Sequence, residues 1–122
     1  MPGAQFSSDD FAISRFPLYG QTAVEVRGAV LRAVVRGPFN LELVQAQCRL
    51  LSAAGLSLPA DRRYVELIEY QQSLLMPAEA WSTMQSFIEQ SASKGFRALG
   101  TVLVLPPDVE GEALFRDRSV AL

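Results

Sequence analysis

Histidine is absent from this chain, and cysteine, lysine and tryptophan occur once each. Without histidine the usual serine triad cannot form, and zinc or iron–sulfur sites built from Cys/His clusters are excluded. Cys48 alone cannot close an internal disulfide. It lies among apolar neighbours of a predicted helix, where a buried structural thiol is the expected state. No run of about 18 apolar residues is present, so no transmembrane helix is expected. Met1 to Asp10 has neither the basic nor the apolar segment of a secretory leader, and a cytoplasmic location follows. A glycine-rich phosphate loop is missing too. Gly95-Phe-Arg-Ala-Leu-Gly100 lacks both the spacing and the strand-then-helix context. Glu66 and Glu69, three apart on a predicted strand, point to opposite faces and cannot pair as acid and base. These absences leave catalytic, cofactor-binding and metal-binding residues unassigned, and the expectation is a protein that is not an enzyme.

What is present suits one globular domain. The chain has 122 residues, 49% hydrophobic and 20% charged, enough to bury a core without a disulfide or metal. The net charge of −2 gives no general attraction to nucleic acid, and none is expected as a partner. Arg15, Arg27, Arg32 and Arg36 lie on the N-terminal strands and could make a basic stripe, without the interleaved aromatics of a nucleic-acid surface. Charge is uneven along the chain. Residues 1–63 carry seven Arg against five acids, and residues 64–122 four basic residues against eight acids. Head-to-tail self-association could use that asymmetry.

Periodicity sets the element order. Residues 1–10 are small and polar and read as a flexible N-terminus; residues 11–122 read as the domain. Phe11 to Phe16 reads as a first strand, broken by Pro17, Tyr19 and Gly20. Thr22 to Val26 and Ala29 to Val35 alternate. They form either a hairpin turning at Arg27-Gly28 or one long strand bulged at Gly28. Asn40 is a good N-cap for a helix whose stripe is Leu41, Val44, Cys48 and Leu51, with Gly55 as its stop. Arg63 to Tyr70 is the next strand, with Val65 and Leu67 inward and Ile68 a further candidate for that face. Pro77 opens a second helix with Ala80, Trp81, Met84, Phe87 and Ile88 on its apolar face, ended by Gly95. Arg97 to Leu105 reads as a central parallel strand. Asp108 caps a last helix to about Arg116, packing through Val109, Ala113 and Leu114. The expected fold class is α/β: a mixed sheet with antiparallel N-terminal strands and a parallel β-α-β-α-β core.

In open sheets, ligands favour the loops at the carboxyl ends of parallel strands. Here those are Gly37 to Asn40, Tyr70 to Met76 and Pro106 to Asp108. The first two face helix N-termini, which favour anions, and make Asn40 and Ser73 neighbours of any ligand or modifying phosphate. The same residues serve equally as ordinary connections and caps. Leu75 and Met76 form an apolar tail to the second loop. Trp81 is in register with Met84 and Ile88 as core, or joins Tyr70 in an aromatic contact surface.

The segment Ala33-Val-Val-Arg-Gly-Pro-Phe-Asn40, a helix, Tyr64-Val-Glu-Leu-Ile-Glu69 and Pro77 opening a second helix together resemble the SpoIIAA-like (STAS) family. The resemblance covers about residues 11–116 and lies in element order and spacing. It implies a β-rich N-terminus, a Gly-x-φ-Asn/Thr helix entry and alternating α/β elements. That family includes anti-anti-sigma factors and many single-domain bacterial proteins. Anti-anti-sigma factors carry an Asp-Ser-Ser-Gly motif before the second helix, with a phosphorylated serine. This chain has Gln72-Ser73-Leu-Leu-Met-Pro77, with neither the aspartate nor the glycine. It is therefore similar to the divergent branch, and a phospho-switch at Ser73 is not implied.

The functional expectation is a non-enzymatic regulatory or protein-interaction module. It binds a protein partner through the loops near the second helix, at Asn40, Ser73, Leu75, Met76 and Trp81. The alternative is a carrier holding a small molecule or lipid tail in an apolar pocket between sheet and helices. Either allows a homodimer, with the N-terminal strand pairing across a sheet edge.

Overall fold

The computed structural model describes residues 3–12, 16–106 and 112–120. The α/β class holds. Among the described residues one five-stranded sheet runs in the order β1 (Ala4–Ser7), β2 (Gln21–Arg27), β3 (Val30–Arg36), β4 (Val65–Gln71), β5 (Gly100–Val104). The first three strands pair antiparallel, and β3, β4 and β5 pair parallel. Helix α1 (Leu41–Gly55) connects β3 to β4, and α2 (Ala78–Ser93) connects β4 to β5. Helix α3 (Glu112–Val120) follows.

The hairpin reading of Gly28 is the right one. Gly28 has φ +57°, the left-handed conformation that a two-residue turn needs and that glycine reaches at least cost. Strict alternation in β2 and β3 sends Val24, Val26, Leu31, Ala33 and Val35 to one face, where they are buried. Leu43, Val44, Leu50 and Ala54 of α1 and Ala80 and Met84 of α2 complete that core. Burying each aliphatic side chain of this size is worth ~1.5–3 kcal/mol. A second cluster of Leu74, Trp81 and Phe115 attaches α3 to the start of α2, with Phe115 edge-on to both Tyr70 and Trp81.

Several expectations are corrected. The sheet begins inside the segment read as flexible: Ala4–Ser7 pairs with Ala23–Val26. A 3₁₀ turn, Ser8–Phe11, then replaces the start of the predicted first strand, whose residues 13–15 lie outside the described ones. That turn is tied to the body of the protein. Ser8 Oγ accepts from the Thr22 N–H at 2.9 Å, Thr22 Oγ1 donates to Gln47 Oε1 at 2.8 Å, and Arg49 Nε donates to the Phe11 carbonyl at 2.9 Å. Gly55 is the last residue of α1 rather than a left-handed stop. Gly95 does end α2 in the left-handed region, at φ +86°. In α3 the buried residue is Phe115, whereas Ala113 and Leu114 are exposed; Asp108 and Val109 fall outside the described residues.

Two corrections bear on function. In β4 the inward face is Glu66, Ile68 and Tyr70, and Val65 and Leu67 point out. Apolar residues occupy both parities of Val-Glu-Leu-Ile-Glu-Tyr, so local alternation could not choose between them; pairing with β3 does. β5 is an edge strand rather than a central one, and all five of its residues are exposed. Both α1 and α2 pack on the same side of the sheet, since both contribute to the one core. The opposite face carries Val30, Arg32, Val34, Val65, Leu67, Val102 and Val104.

Candidate functional site

At the carboxyl ends of β3 and β4 three loops meet. Gly37 N–H donates to the Gln71 carbonyl at 3.2 Å, and Phe39 N–H donates to the Leu75 carbonyl at 2.9 Å. Residues 37–39 thus extend the β3–β4 ladder past the strand ends. On one side a Cβ at Gly37 would overlap the Ser73 carbonyl oxygen; on the other, a Cβ at Gly20 would overlap the Arg36 carbonyl oxygen. Glycine is needed at both positions because backbone passes against backbone.

Asn40 locks the third loop. Its Oδ1 accepts from the Leu43 N–H at 3.0 Å as the N-cap of α1, and from the Tyr19 N–H at 3.3 Å. Its Nδ2 donates to the Pro17 carbonyl at 3.0 Å. With 9% exposure and both polar atoms of its side chain engaged, Asn40 ties the loops of the site together.

Those contacts enclose a cleft of about 400 Å³ lined by Phe16, Pro17, Tyr19, Phe39, Leu41, Glu42, Pro77 and Glu79 around Asn40. Phe16 is 58% exposed and Tyr19 66%. Glu42 and Glu79 are the acids of the first turns of α1 and α2. They place negative charge where bare helix N-termini would have favoured an anion, so the cleft suits a cation beside aromatic rings. A second groove of about 450 Å³ lies on the open face, between Gln5, Ser7, Asp10, Glu25 and Arg32. Its Glu25 is already engaged, accepting from Gln5 Nε2 at 3.3 Å and pairing with Arg27 at 3.4 Å. The first cleft, with two acids beside two exposed rings, has the stronger claim.

The other residues singled out from the sequence scatter around this cleft. Ser73 is half-buried, and its Oγ accepts from the Leu75 N–H at 3.1 Å in a local turn. Leu75 is exposed behind Phe39. Met76 bridges the two cores, and its carbonyl accepts from Arg118 at 3.0 Å. Trp81 is buried, with the Arg118 guanidinium 5.5 Å from its ring centroid. Sequence reasoning missed Phe16, Tyr19, Glu42 and Glu79. Phe16 and Tyr19, the two aromatics around the Pro17 break, were the available signal.

Away from the cleft, burial raises the pKa of Cys48, Tyr64, Glu66 and Tyr70. Desolvation pushes the Cys48 thiol up to about 11 against the opposing pull of Arg49, which keeps it protonated and unreactive. Burial raises Tyr70 well above the usual phenol range, and the charge of Glu66 adds to it. Glu66 is itself raised by burial, partly offset by hydrogen bonds from Thr101, at 3.2 Å, and from Tyr64. The folded chain therefore holds this proton more tightly than the unfolded chain. The stability that follows is present below pH 4.5 and lost as pH rises through the folded value. Glu66→Gln is expected to raise the melting temperature at pH 7 by ~2 °C, the effect of ~0.5 kcal/mol in a domain this size. The gain should shrink below pH 4.5. Melts across pH decide it, and a stability loss at pH 7 would contradict the assignment.

Among the described residues no helix is long and apolar enough to cross a membrane, and no three His, Cys, Asp or Glu side chains group to hold a metal ion. No protein family, curated protein or solved structure matches the chain.

Proposed function

We propose that this protein is a non-enzymatic interaction module of SpoIIAA-like type, working in the cytoplasm. It holds a cationic segment of a protein partner in the cleft at the entries of α1 and α2. The observation that carries the reading is the pairing of Glu42 and Glu79 with the exposed rings of Phe16 and Tyr19 around one cleft. A lysine or arginine side chain meets both needs, by ion pairing and by lying over a ring. A cleft whose loops are joined by backbone and Asn40 hydrogen bonds suits binding without closure. The carrier alternative has less support. The space between sheet and helices is occupied by Val35, Leu43, Val44 and Leu50, none above 1% exposed.

The test is a fluorescence titration with two labelled peptides of equal length, one arginine-rich and one glutamate-rich. The arginine peptide should bind, and the glutamate peptide should not. Glu42→Gln with Glu79→Gln should weaken binding about fivefold to tenfold, in keeping with two solvent-screened ion pairs. Rising salt should remove the same increment. Equal affinity for both peptides, or no effect of the double substitution, would sink the proposal.

A further inference from the structure

Three aromatic residues line the cleft at two depths. Phe39 is buried at 3% exposure, with its ring edge-on to Tyr70, whereas Phe16 and Tyr19 are 58% and 66% exposed. Pro17, Leu41 and Pro77 add further apolar lining. Several acceptors among these residues are already taken. The carbonyls of Pro17, Asn40 and Pro77 accept from Asn40 Nδ2, the Val44 N–H and the Trp81 N–H, at 3.0, 3.2 and 3.0 Å. Asn40 Oδ1 accepts twice, from the Leu43 and Tyr19 N–H groups. The carboxylates of Glu42 and Glu79 stand apart from these, one in the first turn of each helix.

Such a lining discriminates among cations. A lysine ammonium is a compact, strongly hydrated charge with three donors, and a guanidinium carries five in a fixed fork. Either gives up water on entering an apolar cleft, and each donor left without an acceptor costs free energy. Methylation of the ammonium keeps its charge while replacing donors. A fully methylated ammonium has no donor to satisfy and presents a positively charged C–H surface to the negative faces of rings. We infer, resting on the cationic-segment reading above, that the cation this cleft takes is a methylated ammonium, carried by a methylated lysine of the partner. Phe16, Tyr19 and Phe39 supply the ring surface. Glu42 and Glu79 supply the opposing charge without having to meet N–H groups. Affinity rises with each methyl, because each removes one donor.

The experiment is calorimetric titration of the full chain with one short peptide in three forms. They differ only at a central residue: lysine, trimethyllysine, or the neutral tert-butyl isostere of trimethyllysine. Trimethyllysine should bind about tenfold tighter than lysine, and the isostere should be weaker than trimethyllysine by a similar factor. Equal affinity for lysine and trimethyllysine overturns the inference and leaves the cationic-segment reading standing. An isostere as tight as trimethyllysine also overturns it, since apolar burial alone then accounts for the gain. Binding of none of the three overturns both. Tyr19→Ala should cut the trimethyllysine preference to about twofold or less, and Tyr19→Phe, which keeps a ring, should retain it. A preference that survives Tyr19→Ala overturns the role given to the rings. Glu42→Gln with Glu79→Gln should lower both affinities and leave trimethyllysine the tighter ligand. Phosphatidylcholine vesicles present the same trimethylammonium group and should not retain the protein; retention there would assign the ammonium to a lipid and overturn lysine as its source.

Discussion

Gly37→Ala is expected to destabilise the protein by ~3 kcal/mol, lowering the melting temperature by ~10 °C, and to abolish peptide binding in the cleft. Two effects compete at this position. Gly37 does not have a positive φ, so alanine restricts the unfolded chain and would, in open space, stabilise by ~0.4–1 kcal/mol. Against that, the new Cβ falls on the Ser73 carbonyl oxygen and presses on the Phe39 ring at 3.1 Å. A backbone carbonyl held in the ladder of residues 71–75 cannot rotate away, so the overlap wins and the loops must part. Phe39 lines the cleft, so the same movement spoils the site. Gly28→Ala is the control. It has open space around it and a left-handed φ, so it should cost only ~1 kcal/mol and leave binding unchanged. Urea unfolding and the arginine-peptide titration read both. A Gly37→Ala protein as stable as wild type would show that the Gly37–Ser73 approach is looser than described.

The contrast between these glycines shows what was legible in the sequence. Gly28 and Gly95 act through their own backbone angles, a local property, and their neighbours announced a turn and a helix end. Gly37 and Gly20 act through residues 36 and 16 positions away, and no local pattern carries that. The same division runs through the fold. Asn40 as a cap, Trp81 as core and the order of strands and helices follow from short spacings. The facing of β4, the edge position of β5 and the recruitment of Ala4–Ser7 into the sheet depend on which strand lies beside which. β1 has only four residues, Ala-Gln-Phe-Ser, and its place is secured by β2 and by the buried Ser8–Thr22–Gln47 contacts. The cleft belongs to this second kind. Phe16 and Glu42 are 26 residues apart, and Glu42 and Glu79 are 37 apart. Asn40 and Ser73 were found because they lie in loops that lead into helices; the rings of the cleft come from the 16–20 loop that Asn40 tethers, and its acids from the first turns of the two helices.

Asn40→Ala separates a building residue from a binding one. It is expected to destabilise by ~2–3 kcal/mol, from loss of an N-cap, ~1 kcal/mol, and of two further hydrogen bonds of similar worth. The Pro17 carbonyl and the Tyr19 N–H lose their partner together, so the 16–20 loop is no longer fixed against α1. Peptide affinity should therefore fall although Asn40 itself is buried. Asn40→Asp refines the reading. It keeps an acceptor for Leu43 and Tyr19 and adds a charge that suits the α1 N-terminus, yet it turns the donor to Pro17 into an oxygen facing an oxygen. Its cost should be ~1 kcal/mol, less than half that of alanine. Equilibrium unfolding of both variants, alongside the arginine-peptide titration, tests the order. If alanine and aspartate left stability unchanged while binding fell, Asn40 would be a ligand contact, and the tether drawn here between Pro17, Tyr19 and α1 would be wrong.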